Sequence, residues 1–262
     1  MSEVVLRTVE GGVATITLNR PERLNAWTGE MGHAYFDLLE ECEASADVRA
    51  IVVTGAGRGF CAGADMAELQ ALGDGKLDEI AMVPDERPQT FALTISKPIV
   101  AAINGACAGL GLVHALMCDI RFAAADAKLT TAFVRRGLIA EHGISWVLPR
   151  LVGPARALDL LLSGRVVLGE EAAELGLVNR AVEPGRLLEE AHGYARELAT
   201  YSSPSSMATM KRQVYADLTR ELPEALAEAN RLMGESFTQP DLVEGVASFV
   251  ERREPNFAPL GG

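Results

Sequence analysis

Residues 98–118, PIVAAINGACAGLGLVHALMC, run for 21 positions without a formal charge. A stretch like this has to leave water, and it can go into a lipid bilayer or into a buried core. The punctuation separates the two. Asn104-Gly105, Gly109 and Gly111 interrupt the run and His114 sits inside it. A strand, a glycine turn and a buried helix account for this pattern; a membrane span does not. The same design occurs earlier, where the short apolar strand 50–54 leads through Ala62-Gly63-Ala64 to Asp65 and a helix. Buried strands with helices between them make an α/β fold.

The remaining periodicity agrees. Val13, Thr15 and Thr17 alternate with Ala14, Ile16 and Leu18 after the Gly11-Gly12 turn, which reads as a strand. Met31, Ala34, Tyr35, Leu38, Leu39 and Cys42 fall at helical spacing over 30–44. Residues 120–124 read as a strand and 128–134 as a further extended piece. Asp65 followed by Glu68 has the form of a capping box opening a helix. Residues 72–88 read as an irregular excursion that shapes a pocket. Beyond about residue 185 the strands stop, and 187–200, 203–218, 222–237 and 241–253 read as helices. These divisions suggest a core over 1–200 and a helical C-terminal region over 201–262.

Composition narrows the function. Apolar residues make up 48 % of the chain and charged residues 23 %, values of a globular protein with a sizeable core. The net charge of −12 argues against nucleic acid or an anionic membrane as partner. An anionic ligand would need local Lys or Arg to oppose that field. The four cysteines, Cys42, Cys61, Cys107 and Cys118, show no Cys-x-x-Cys spacing, and MSEVVLRTVE lacks the apolar core of a signal peptide. Buried free thiols in a reducing, cytoplasmic setting are expected. No metal-ligand spacing is present.

The two glycine-rich turns carry the chemistry. A backbone N–H at the start of a helix has no intrahelical acceptor. Two such donors aimed at one point would hold a developing oxyanion, and small neighbours let a carbonyl approach. Taken singly, each turn is a common packing device.

Together with other segments they resemble the crotonase, or enoyl-CoA hydratase/isomerase, superfamily. The resemblance runs through Asn19-Arg20-Pro21-Glu22-Arg23-Leu24-Asn25-Ala26, Gly59-Phe60-Cys61-Ala62-Gly63-Ala64-Asp65-Met66 and 97–119. It continues through Arg136-Gly137-Leu138, Gly153-Pro154-Ala155-Arg156-Ala157, Glu170-Glu171-Ala172 and Gly176-Leu177-Val178-Asn179-Arg180. It implies a spiral of repeated strand–strand–helix units, a helical C-terminal trimerisation region, and a homotrimer or dimer of trimers. It also implies an acyl-CoA thioester substrate whose enolate oxygen lies between the amides of Ala64 and Leu110. Coenzyme A would enter as part of the substrate, with no separate cofactor. By position, Arg23 matches a contact to the CoA phosphates, and Ala62, Asp65 and Met66 match the CoA-lining segment. Arg253 and Phe257 lie where a C-terminal helix can reach CoA on a neighbouring subunit or pack at its own helix end.

The chain departs from the family's hydratases at their two glutamates, which here are Val113 and Phe133. Neither can move a proton, so the two-glutamate hydration route is closed. With His114, these side chains are expected to lie along the substrate. Glu141 occupies the slot of an acid or base in family isomerases and carbon–carbon bond-cleaving enzymes. Apolar neighbours such as Phe133, Val113 and Trp146 would desolvate it. His114 reads as a buried, hydrogen-bonded histidine. His142 adjoins Glu141, but neighbours in extended chain point to opposite sides. His33 and His192 sit on amphipathic helices and are expected to be solvated. Three readings stay open: an isomerase or unusual hydratase, a hydrolase of a carbon–carbon bond with His114 or His142 assisting Glu141, and a silent acyl-CoA-binding protein.

Overall fold

The computed structural model describes residues 3–73 and 86–260. The chain opens with a hairpin, β1 (Val5–Glu10) and β2 (Val13–Leu18), joined by Gly11 and Gly12 at φ 57° and 79°. Positive φ at both positions gives the turn whose twist matches the strands it joins. Helix α1 (Gly29–Ala44) starts where the Thr28 side chain accepts a hydrogen bond from the Met31 amide. It buries Tyr35, Phe36 and Leu39 against the sheet.

The next units share a pattern. Strand β3 (Ala50–Gly55) passes into a short strand β4 (Gly59–Cys61) and then α2 (Met66–Gly73). Strand β5 (Ile99–Ile103) passes into β6 (Ala106–Ala108) and α3 (Leu110–Leu116). Strands β7 (Ile120–Ala124) and β8 (Lys128–Thr130) repeat the strand pair. Helices α4 (Ile144–Val152) and α5 (Pro154–Ser163), strand β9 (Val167–Leu168), helix α6 (Gly169–Leu175) and strand β10 (Arg180–Val182) follow. The long strands form one sheet in the order β1-β2-β3-β5-β7-β10, and the short ones a second in the order β4-β6-β8-β9. From β2 to β10 the first sheet is parallel, and every residue of β3 and β5 is buried. That burial explains their unbroken apolar sequences. Each turn of the spiral steps from the large sheet to the small one and out to a helix.

Helices α7 (Leu187–Tyr201), α8 (Pro204–Asp217), α9 (Leu222–Ser236) and α10 (Pro240–Glu251) complete the chain. Asp119 ties α8 to the core. Its carboxylate accepts from the Ile99 amide at 2.8 Å, Lys211 Nζ at 2.7 Å and the Tyr215 hydroxyl at 2.9 Å. Large apolar side chains on α9 and α10 remain exposed, among them Leu222, Leu226, Val243, Phe249 and Val250.

Some local expectations change. The extended piece ends at Thr130, because the Thr130 hydroxyl accepts from the Ala132 amide and turns the chain. Ala132 then takes φ 58°, and Phe133–Arg136 form a 3-10 turn. The Asp65 cap forms, with Oδ1 accepting from the Ala67 amide at 3.0 Å. Its reciprocal half does not, since the Asp65 amide donates to the Trp27 carbonyl. Of the expected excursion at 72–88, residues 74–85 lie outside the described residues; Arg87 pairs with Asp37 and Glu40 of α1. All four cysteines are buried and free. Among the described residues no helix is long and apolar enough to cross a membrane.

Candidate active site

The two glycine turns are pressed together, backbone on backbone. A Cβ added to Gly111 would stand 2.2 Å from the Cys61 carbonyl oxygen, and one on Gly105 would stand 2.1 Å from that of Arg58. A Cβ on Gly63 would sit 3.0 Å from the Ala108 carbonyl oxygen and 3.9 Å from the Leu110 nitrogen. Gly63 also takes φ 100° and Gly109 φ 49°, a region that L side chains rarely enter. Bare backbone is required here because two main chains occupy the space a side chain would fill.

Polar side chains lock the turns in register. Asn104 Nδ2 donates to the carbonyls of Gly55 and Gly57, and its Oδ1 accepts from the Gly55 amide. Asn25, fully buried at φ 55°, donates to the Gly59 carbonyl at 2.7 Å and accepts from the Arg20 amide at 2.8 Å. The Asn19-to-Ala26 motif therefore anchors the loop that carries Arg20 and Arg23 to the first glycine turn. Trp27 continues that anchor, its amide donating to the Gly63 carbonyl and its carbonyl accepting from the Asp65 amide. In extended backbone, successive amides point to opposite sides, so the Ala64 N–H points away from Trp27. Among the described residues neither the Ala64 nor the Leu110 amide donates to another protein oxygen.

Ala64 and Leu110 both line a cleft of about 700 Å³, a typical size for a small-molecule site. Of the residues expected from the sequence, Arg23, Ala62, Ala64, Asp65, Met66, Leu110, Phe133 and Glu141 line it. Val113 and His114 do not. Both are buried in the core, at 0 % and 2 % exposure, where α3 runs beneath the cleft floor. Arg20, Arg136, Leu138 and His142 join the lining, with Arg23 and Arg136 as exposed cations near the rim. Local positive charge thus faces the cleft despite the acidic chain.

Two carboxylates line the cleft among the described residues. Asp65 is engaged, with Oδ2 3.0 Å from Arg20 and Oδ1 on the helix cap. Burial pushes its carboxyl up, but the Ala67 amide and the Arg20 guanidinium outweigh that and hold it below its ordinary value. Glu141 faces a histidine instead. His142 Nε2 lies 3.8 Å from Glu141 Oε2, and the two side chains are 38 % and 32 % exposed. The expectation that the pair points apart is corrected here, because His142 takes φ 54° and Gly143 φ 81°. This left-handed turn folds both side chains toward one cleft. Burial lowers the His142 pKa, and the Glu141 carboxylate opposes that shift. The expected apolar enclosure of Glu141 is partial: Phe133 shares the cleft, Val113 does not, and Trp146 stacks under Arg150 at 4.2 Å.

His114 is buried as expected, but neither ring nitrogen has a hydrogen-bond partner among the described residues. Burial, then the charge of His142, pushes its pKa down to about 3. His33 and His192 are half-buried rather than solvated; His33 Nδ1 lies 2.8 Å from the Gly29 carbonyl and His192 Nε2 3.5 Å from the Thr15 hydroxyl. Within the chain Arg253 pairs with Glu244 and Glu251, and Phe257 packs against Gly245.

Comparison with known proteins follows the same lines. The enoyl-CoA hydratase/isomerase family model matches residues 8–259. The 1,2-epoxyphenylacetyl-CoA isomerase of Escherichia coli is 37% identical, covering 98% of this chain and 99% of that protein. A probable enoyl-CoA hydratase of Rhodobacter capsulatus is 39% identical, covering 95% of each. Among solved structures, an enoyl-CoA hydratase from Mycobacterium marinum is 51% identical with a TM-score of 0.72, covering 84% of this chain and 100% of that one. An enoyl-CoA hydratase from a Polaromonas species reaches a TM-score of 0.89 at 30% identity, covering 97% and 99%. The chain belongs to the enoyl-CoA hydratase/isomerase family of the crotonase superfamily.

Proposed function

We propose that this acyl-CoA enzyme shifts a double bond along a thioester through an enolate held by the Ala64 and Leu110 amides. Glu141 is its acid and base. The observation that carries this reading is the inventory of the cleft. Among the described residues its two carboxylates are Asp65, which is committed to Arg20 and a helix cap, and Glu141, which is not. At the hydratase glutamate positions stand Val113 and Phe133, so the paired-glutamate addition of water has no groups to run on.

The step balances without a further reactant. Glu141 removes a proton next to the thioester carbonyl, and the C–H electron pair flows into the enolate. Two main-chain amides then carry the charge on oxygen. Re-forming the carbonyl returns the proton from Glu141 at a different carbon. Each amide donor in such a site typically contributes a factor of ~10²–10³ in rate. Coenzyme A enters with the substrate, and Arg23 and Arg136 at the rim suit its phosphates. The Escherichia coli relative is named a 1,2-epoxyphenylacetyl-CoA isomerase, which accords with isomerisation, while the Rhodobacter capsulatus relative is named a probable enoyl-CoA hydratase.

We also propose a homotrimer or dimer of trimers in the cytoplasm. Exposed apolar residues on α9 and α10 support the first, and four free buried thiols accord with the second. Sedimentation of a monomer at micromolar concentration would remove the trimer.

The deciding experiment is proton exchange at carbon 2 of acyl-CoA thioesters in D₂O, run beside hydration of crotonyl-CoA. Exchange with little hydration is expected. Rapid hydration would restore a hydratase, release of a cleaved acid from a β-keto thioester would point to the hydrolase, and CoA binding with no turnover would leave a silent binder.

A further inference from the structure

The indole of Trp27 and the imidazole of His114 stack face to face, with centroids 3.7 Å apart and planes 19° from parallel. The rings are rooted in different halves of the site. Trp27 holds the first glycine turn by its main chain, bonded on either side of Ala64 through Gly63 and Asp65 at 2.8 Å each. His114 stands on α3 four residues after Leu110, hence one turn further along the same helix face. From this we infer that the Trp27–His114 stack is a positioning element, fixing the orientation of the Leu110 amide relative to the Ala64 amide. The inference rests on the oxyanion reading above and names what holds that site in shape.

A second tie adds to the first. Gly111 lies so close to Cys61 that an added Cβ would meet its carbonyl oxygen at 2.2 Å, which sets the distance between the turns at the start of α3, while the orientation of the helix depends on what holds it further along. His114 lies three residues beyond that contact, roughly 4.5 Å along the axis at 1.5 Å per residue. A 1 Å slip of the ring would tilt α3 by about 12°, and donors of this kind must be held within about 10–20°. Stacking on Trp27 removes that freedom, and Tyr35 and Phe36 close the ring in from its edges at 5.5 and 6.1 Å.

His114 contributes a flat face, not a proton. Its nitrogens are unpartnered among the described residues, and burial keeps the ring neutral across the working pH range. Phenylalanine should therefore replace it, and a flexible aliphatic should not.

The probe is [1-¹³C]butyryl-CoA bound to wild type, His114→Leu and His114→Phe, with the carbonyl resonance read by ¹³C NMR. Two amide donors polarise the carbonyl and move its resonance downfield. Wild type and His114→Phe should show the full displacement on binding. His114→Leu should lose roughly half of it or more while affinity changes less than about threefold, the mark of lost alignment at the carbonyl. Circular dichroism checks folding, and Trp27→Leu removes the same stack from the other side if His114→Leu proves unstable. A folded His114→Leu with the full displacement overturns the inference, as does a His114→Phe that fails to restore it. No displacement in wild type overturns the oxyanion reading itself, and the positioning role with it.

Discussion

Gly111→Ala presses on the point where the two glycine turns meet. The added methyl would stand 2.2 Å from the Cys61 carbonyl oxygen, 2.7 Å from Cys61 Cβ and 2.8 Å from its carbonyl carbon. An ordinary carbon–oxygen contact is about 3.3 Å, so the turns must part by roughly 1 Å. Overpacking of this kind costs about 1–3 kcal/mol. Alanine's better helix propensity returns up to about 1 kcal/mol of that. The fold should therefore survive. Catalysis should not, because a 1 Å misplacement of a reacting geometry costs ~10²-fold. The assay is the initial rate of deuterium uptake at carbon 2 of butyryl-CoA, beside affinity for the same thioester by titration calorimetry. The expected result is a rate roughly 10²-fold below wild type with affinity within about threefold. A folded Gly111→Ala protein exchanging at the wild-type rate would refute the claim that this contact sets the donor spacing.

Other outcomes follow from the same structure. Glu141→Gln should keep acyl-CoA affinity and lose about 10²–10⁴-fold in turnover, and retained turnover would remove Glu141 from its role. His114 has a pKa near 3 when folded against 6.5 as a reference, so the unfolded chain takes up a proton first as pH falls. Its contribution to stability is full above about pH 6.5 and is lost toward pH 3, by up to about 1.4 kcal/mol per pH unit. Between pH 7 and pH 5, urea unfolding of wild type should therefore lose about 2 kcal/mol more than that of His114→Phe. His142 and His192, also depressed, titrate in both proteins and cancel in the difference; equal losses would contradict the assignment. Asp119→Ala should cost about 3 kcal/mol in urea unfolding, since it strands Lys211, 9 % exposed, without its ion partner. A loss under about 1 kcal/mol would mean that the contact is as weak as a surface pair.

Much of this was legible in the residues themselves. The charge-free run over 98–118 resolved into β5, β6 and α3 because its glycines fall where the backbones collide. The helical tail was readable from its apolar stripes and the absence of strand patterns. Depth was not. Motif position put Val113 and His114 along the substrate, yet helical spacing gives a direction around an axis and not how far a face lies below a cleft. The Glu141–His142 pair was misread for a different reason. A non-glycine residue at positive φ reverses where its side chain points, and nothing but the following Gly143 hints at it. Helices α4 to α6 carried signals left unused, with Pro154 at the first turn of α5 and Gly176 just past the end of α6. The Trp27–His114 stack joins residues 87 positions apart, a distance across which one sequence offers no signal.

A crystal structure with butyryl-CoA bound tests the central claim most directly. The account expects the thioester oxygen about 3 Å from both the Ala64 and Leu110 nitrogens, with Glu141 facing carbon 2. An oxygen bonded to only one of those amides, or turned toward solvent or a side chain, would contradict it.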